Sequence, residues 1–294
     1  MLFAAQPGTS QRTMNYRHAY HAGNFADVLK HVVLARVLTY MKQKPRLFRV
    51  IDTHAGCGRY DLFAEEPGKT GEWRDGIARI FDADLPSPAA GLLAPYCDAV
   101  RALNSAGELR YYPGSPLIAR QLMRADDVLV VNELNGQDFE RLKGEFHRAK
   151  ATTVLNLDAW HAVKSLLPPK ERRGVVLIDP PFEDRDEFAN LAAAIGEATA
   201  RFATGVFLIW YPLKDQVAAD RFLADATARA QLEFLDVRLA VCAPFAGLGL
   251  TASAVLVLNP PYVLRDELES IMPVLAERLT EGEGSGYLLR NALQ

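Results

Sequence analysis

Cysteine is scarce. Cys57, Cys97 and Cys242 are the only three in 294 residues, too few and too scattered for a disulfide framework or a zinc site. A reducing, cytoplasmic setting is therefore expected. No apolar run is long enough to predict a membrane span. Met1 to Thr13 lacks a basic stretch followed by a sustained apolar core, so it does not read as a signal peptide. Residues 1–13 read instead as a disordered extension, with the fold beginning near Met14. Positive charge is not in excess. A net charge of −3 argues against a general nucleic-acid binder, whose affinity rests on neutralising phosphates. The glycine spacing of a dinucleotide fingerprint is missing, which disfavours a dehydrogenase, and the Lys-Ser/Thr of a P-loop is missing too. Internal repeats and low-complexity tracts are absent.

What is present is ordinary for a globular chain: 49% apolar and 23% charged residues. The length suits one large α/β domain carrying an insertion. Apolar residues at helical spacing predict a helix from Asn24, its cap, to Tyr40. Strands are predicted at 47–51, 128–131, 152–157, 174–178, 205–210, 236–241 and 253–258. Helices fall around 137–146, 159–166, 187–201, 215–230 and 264–279. This alternation predicts a mostly parallel, seven-stranded sheet covered on both faces. Only a glycine-rich loop (Ala246 to Leu250) separates the last two strands, which are expected as an antiparallel hairpin. Residues from about 61 to 112 turn irregular and mostly helical. They read as a helical insertion in a domain spanning 14–294.

Basic residues cluster three times. Arg17, His18, His21, Lys30 and His31 form one group, Arg141, Lys143, His147, Arg148 and Lys150 a second, and Lys164, Lys170, Arg172 and Arg173 a third. Each group reads as a solvated helix face or loop. Together they permit a local RNA-facing surface.

The chemistry concentrates at strand ends. After the first strand, His54-Ala55-Gly56-Cys57-Gly58 lets backbone approach a ligand closely. After the second stands Glu133, suited to two vicinal ribose hydroxyls. After the third stands Asp158, placed to accept from an adenine amine. After the fourth comes Asp179-Pro180-Pro181-Phe182, where two prolines stiffen a loop presenting a carboxylate, a carbonyl and a ring. That set suits a flat, amine-bearing group: the acceptors hold the amine hydrogens and the ring stacks on the base. Each acid alone also reads as a helix cap or turn residue. A second candidate, Asn259-Pro260-Pro261-Tyr262, likewise follows an apolar strand, and the residues alone leave the choice open.

Asp-Pro-Pro-aromatic resembles the catalytic motif of methyltransferases acting on exocyclic base amines. The sheet pattern resembles Rossmann-like class I S-adenosylmethionine-dependent methyltransferases. A specific resemblance lies in the segment Asn15 to His31, in Asp52 to Gly56, in Gly76 to Ile80, and in Leu109 to Leu122. Arg172-Arg173-Gly174, Arg201 to Gly205 and Trp210-Tyr211-Pro212 extend it. Together these are similar to the bacterial 23S ribosomal RNA adenine-N6 methyltransferases of the RlmJ type, over nearly the whole chain.

That resemblance selects Asp179 as catalytic. It implies S-adenosylmethionine bound by His31, His54, Ser115, Glu133, Asp158, Ala159 and Asp179, with no metal. It implies substrate contacts from Tyr16, Pro180 and Phe182. It also implies a cytoplasmic monomer, without membrane contact, acting on 23S rRNA before full ribosome assembly. Three residues depart from the family pattern. Phe182 replaces Tyr, Ala159 replaces Gly, and Cys57 replaces a small residue and suggests sensitivity to thiol reagents. Adenine methylation in DNA, amide methylation of glutamine, and a non-catalytic RNA-binding role are the competing expectations.

Overall fold

A computed structural model describes residues 18–183, 186–243 and 249–291. Tyr16 and the extension 1–13 lie outside them. A short 3-10 turn (His18–His21) leads into helix α1 (Phe25–Met41). Asn24 caps α1 as predicted, accepting from the backbone N–H groups of Ala26 and Asp27 at 3.0 Å each. Apolar residues occupy every side of α1 and nearly all of it is buried. A helix apolar all round belongs in a core. Lys30 and His31 are therefore not on a solvated face; both are buried, and the expectation from the first basic group is corrected there.

Strands β1 (Arg49–Asp52) and β2 (Arg59–Asp61) follow. Helices α2 (Glu65–Thr70), α3 (Ala78–Phe81) and α4 (Ala89–Ala102) lead to β3 (Tyr111–Pro113), which pairs antiparallel with β2. Then come α5 (Ser115–Leu122), β4 (Val128–Asn132), α6 (Gly136–Glu145), β5 (Thr152–Leu155), α7 (Ala159–Leu166), β6 (Gly174–Ile178) and α8 (Glu187–Arg201). The chain continues through β7 (Val206–Pro212), α9 (Gln216–Ala230), β8 (Phe234–Ala240), β9 (Ala252–Leu258), α10 (Leu264–Arg278) and β10 (Gly286–Asn291).

The main sheet runs β10-β8-β9-β7-β6-β1-β4-β5. β7, β6, β1, β4 and β5 are parallel. β9 returns antiparallel between β7 and β8, so the expected antiparallel ending is present. The sheet has eight strands rather than seven. The extra one, β10, pairs antiparallel with β8 at the edge. Only Leu289 in it is buried, so neither an apolar run nor a clear alternation marks it in the sequence.

Strand residues alternate between two cores. Val50, Leu129, Val175 and Leu177 face the core built with α1, α4, α5 and α10. Ile51, Val130, Val176 and Ile178 face the core built with α7, α8 and α9. The 59–113 segment packs on α1, and Gly76 allows the contact. A Cβ there would lie 2.1 Å from the Gly23 carbonyl oxygen.

The chain winds outward through β1, β4 and β5, then crosses to β6 on the other side of β1. The switch point lies between β1 and β6, where open α/β sheets bind ligands beyond the carboxyl ends of their strands. Asp52 ends β1, Glu133 follows β4 and Asp179 follows β6. No helix among the described residues is long and apolar enough to cross a membrane.

Candidate active site

Asp179 leaves β6 and meets α1. Lys30 Nζ donates to Asp179 Oδ2 at 2.5 Å and to Asp27 Oδ1 at 2.9 Å. Asp27 Oδ2 accepts from the backbone N–H of Gly23 at 2.9 Å and lies 3.1 Å from His18 Nε2. Burial opposes the Asp27 charge, but His18, Lys30 and His31 hold its carboxyl well below the usual range. Burial likewise opposes the Lys30 charge and is outweighed by Asp179 and then Asp27, which raise its pKa. Lys30 is thus a fixed, buried cation shared by two carboxylates.

His31, His54, Ser115, Glu133, Asp158, Ala159 and Asp179 line one cavity of about 210 Å³. Gly56 forms part of its wall at φ +60°, where a Cβ would collide with the Tyr60 hydroxyl. Glu133 is anchored by both oxygens. Oε2 accepts from the Gly56 N–H at 2.8 Å and Oε1 from the Asn135 N–H at 2.7 Å. A carboxylate has about four acceptor sites, so Glu133 keeps acceptor capacity for the cavity. Asp158 does cap α7, with Oδ1 accepting from the His161 N–H at 3.0 Å. Capping and ligand binding are compatible, because Oδ2 is left over. Ser115 spends its proton on Asp52 Oδ2 at 2.6 Å, so its hydroxyl offers lone pairs to the cavity.

The two histidines are neutral, since burial pushes His31 down to about 3 and His54 to about 4. Their tautomers follow from hydrogen accounting. Thr53 Oγ1 gives its proton to the Leu177 carbonyl at 2.9 Å, so the His54 Nδ1 at 2.8 Å donates to Thr53. His54 Nε2 is then an acceptor. His31 Nδ1 lies 2.7 Å from the Tyr112 hydroxyl, which lies 3.1 Å from the Tyr96 hydroxyl, all buried. Among the described residues, Tyr112 is the one partner of the Tyr96 hydroxyl. A buried O–H left without an acceptor is costly, so Tyr96 donates to Tyr112 and Tyr112 to His31. His31 Nε2 carries the remaining proton. That atom is buried and has no hydrogen-bond partner among the described residues. The cavity therefore presents the His31 Nε2–H beside several acceptors, a set that fits a nucleoside bearing an amino-acid tail.

A second cavity of about 620 Å³ adjoins the first, and His18, Lys30, Asp179 and Pro181 line both. Phe182, Phe188 and Trp210 give it an aromatic wall. The Phe182 ring packs 5.0 Å from Phe188 and 5.8 Å from Trp210. Phe182 holds φ +51°, a conformation a bulky side chain adopts only at a cost. Pro180 is buried and Pro181 is the proline facing both cavities. Asn259-Pro260-Pro261-Tyr262, also at φ +53° at Asn259, lines neither.

Residues 45–289 match the family described as ribosomal RNA large subunit methyltransferase D, RlmJ. The chain belongs to this family. It is 40% identical over 275 residues to ribosomal RNA large subunit methyltransferase J of Escherichia coli K12, covering 93% of this chain and 96% of that one. It is 43% identical to the protein of the same name from Haemophilus influenzae, with 92% and 96% covered. A crystal structure of protein LPL1258 from Legionella pneumophila superposes with a TM-score of 0.84 at 32% identity, covering 92% of this chain and 98% of that one.

Against this RlmJ-family background, sequence reasoning missed Lys30, Asp27 and Asp52. Charges at Asp27 and Lys30 inside a largely apolar helix were the available signal, since buried charges must pair. Cys57 corrects another expectation. It is buried, its thiol donates to the Arg59 carbonyl, and burial pushes it up to about 12, so it is a poor target for thiol reagents. Burial also pushes Asp52 up to about 6, against the lowering effect of Ser115. A carboxyl raised on folding holds its proton more tightly in the folded state. The associated stability is lost as pH rises from near 3.8 through about 6. Asp52→Asn is expected to remove that slope. Urea unfolding at pH 4, 5 and 7 should show the variant gaining on the wild type as pH rises; a gap independent of pH would contradict the assignment.

Proposed function

We propose that the protein is an S-adenosylmethionine-dependent methyltransferase acting on N6 of an adenine in 23S rRNA. The observation that carries this reading is the shared wall. Asp179 stands where a cavity suited to the cofactor meets an aromatic cavity suited to a base. Membership of a ribosomal RNA methyltransferase family, and the names of its relatives, supply the RNA.

S-adenosylmethionine supplies an electrophilic methyl group on a positively charged sulfur. The protein's work is to bind and orient. Asp158 Oδ2 is assigned to the cofactor's adenine amine beside Ala159, and the free lone pairs of Glu133 to the ribose hydroxyls. His31 Nε2–H is assigned to the carboxylate of the amino-acid tail, with Ser115 and His54 as acceptors for its other polar hydrogens. On the substrate side, Phe182 and Trp210 offer stacking surfaces to the target adenine. Asp179 takes one amine hydrogen, and the Pro180 carbonyl, which lines neither cavity but lies in the same loop, is assigned to the other on the strength of the sequence resemblance. An exocyclic amine is a weak nucleophile because its lone pair is delocalised into the ring. Holding both hydrogens favours a pyramidal nitrogen whose lone pair points at the methyl carbon. With S-adenosylmethionine bound, the N–C bond would form as the carbon–sulfur bond breaks, the electron pair being left on sulfur. The methylated amine then loses one proton, for which Asp179 is the nearby acceptor. Lys30 fixes the Asp179 carboxylate throughout. Tyr16, outside the described residues, is assigned to RNA contact.

The test is transfer of labelled methyl groups to protein-free 23S rRNA, followed by digestion to nucleosides. The label should appear in N6-methyladenosine and vanish with Asp179→Ala. Label in DNA alone, or near-normal turnover by the variant, would overturn the reading. A second expectation concerns His31. Tyr112→Phe removes the donor that sets its tautomer and should weaken S-adenosylhomocysteine binding about tenfold, the worth of one hydrogen bond of about 1.4 kcal/mol. Binding of 5′-methylthioadenosine, which lacks the amino-acid tail, should be unchanged by calorimetry. Equal losses for both ligands would remove the carboxylate assignment.

A further inference from the structure

Exposed cations are distributed unevenly over this protein. Across much of the surface they meet carboxylates: Lys69 meets Glu65, Arg110 meets Asp61, Lys164 meets Glu197 and Arg229 meets Asp225. The end of the sheet opposite the active site is different. There β6, β1, β4 and β5 are neighbours and start level with one another. Arg49 stands opposite Gly174 on one side and Val128 on the other, and Leu129 stands opposite Thr152. The loops entering these strands therefore share one edge. Lys44 and Arg46 precede β1, Arg148 and Lys150 precede β5, and Lys170 and Arg172 precede β6. All six are exposed, and none has an ion-pair partner among the described residues.

Two more guanidinium groups stand behind them. Arg173 donates to the Met41 carbonyl at 2.5 Å and the Arg46 carbonyl at 2.8 Å. Arg124 donates to the carbonyls of Lys42 and Lys44. Carbonyls hold these side chains in place; Arg173 has no ion-pair partner among the described residues, and Arg124 has only the buried Asp127. Burial, and then the neighbouring Arg124 and Arg46 charges, depress the Arg173 pKa. The carboxylates at this edge do little to offset the charge. Glu171 is committed to Arg49 at 2.9 Å. Asp127 is buried, accepts from the backbone N–H groups of Phe48 and Arg124, and lies 3.7 Å from the Arg124 guanidinium. Asp126 alone is exposed.

Gathering like charges raises the self-repulsion of the free protein, and a polyanion relieves it. Phosphate backbones gain further from the counterions they release. We infer that this edge is a docking surface for the phosphate backbone of an RNA segment outside the target nucleotide. The inference rests on the proposed RNA substrate. The five residues of β6 that separate the edge from Asp179 span about 16 Å at about 3.3 Å per residue. One folded RNA can therefore touch both places. The edge supplies affinity and takes no part in the chemistry.

The test combines Lys44→Ala, Arg46→Ala, Arg148→Ala and Lys170→Ala in one protein, with Lys69→Ala plus Arg229→Ala as the control. Binding of a protein-free 23S rRNA fragment is measured between 50 and 200 mM salt, beside methyl transfer and S-adenosylhomocysteine binding. The fourfold variant should bind RNA at least tenfold more weakly. Its slope of log affinity against log salt should be shallower by roughly three, the share of four phosphate contacts. Cofactor affinity and the rate at saturating RNA should match the wild type, and the control should match it throughout. Unchanged RNA affinity and slope would overturn the inference, as would a loss of maximal rate with binding intact. A wild type that binds RNA through this edge but transfers no methyl group would sink the substrate reading and leave the docking surface standing.

Discussion

The site depends on one buried cation. A carboxylate at the end of β6 has to be held in a fixed direction, yet it sits in a largely dehydrated place, and an unpaired charge there is expensive. Lys30 meets that need at 2.5 Å. It brings its own requirement, because its ammonium is buried as well and Asp179 alone leaves part of it unsatisfied. Asp27, one turn earlier on α1, takes a second of its three hydrogens. Asp27 in turn ties down the Gly23 N–H and His18. The chain of contacts fixes the start of α1 against the carboxyl ends of the central strands. The cap at Asn24 and the close approach of Gly76 to Gly23 serve the same geometry. Breaking a buried pair of this kind by removing one partner costs roughly 3–5 kcal/mol. The orientation of the Asp179 carboxylate and the stability of the α1 junction are therefore coupled.

Several groups in the cavity do two jobs by dividing their valences. Asp158 caps α7 with one oxygen and keeps the other. Glu133 closes the Gly56 turn and the Asn135 turn and still has acceptor capacity to spare. Ser115 gives its proton to Asp52 and so can only accept. The two neutral histidines present opposite faces of the same chemistry, His31 a donor and His54 an acceptor, because different hydroxyls set their tautomers.

Much of this was legible in the sequence. β-branched runs marked the central strands, and the polar residue after each run marked the site. Those signals are local and survive any packing. β10 was not legible, because an edge strand buries little and carries no period. The location of Lys30 was not legible either: a lysine next to histidines looks solvated until the helix around it is seen to be apolar on every side. The histidine tautomers depend on Thr53, Tyr96 and Tyr112, and two of those three lie far from their histidine in sequence. The basic groups divided in a way spacing could not show. Arg141 and Lys143 face Asp138 and Glu140 on α6, whereas Arg148 and Lys150 have no ion-pair partner among the described residues. A net charge of −3 therefore conceals a strongly positive edge.

The central claim is that Lys30 acts on the chemical step by holding Asp179. The most direct measurement is single-turnover methylation of protein-free 23S rRNA by Lys30→Met, with S-adenosylhomocysteine binding and the thermal midpoint recorded on the same preparation. The account predicts a folded protein that binds the cofactor and whose methyl-transfer rate falls by two orders of magnitude or more, a barrier rise of about 2.7 kcal/mol. A wild-type rate in a folded variant would contradict it.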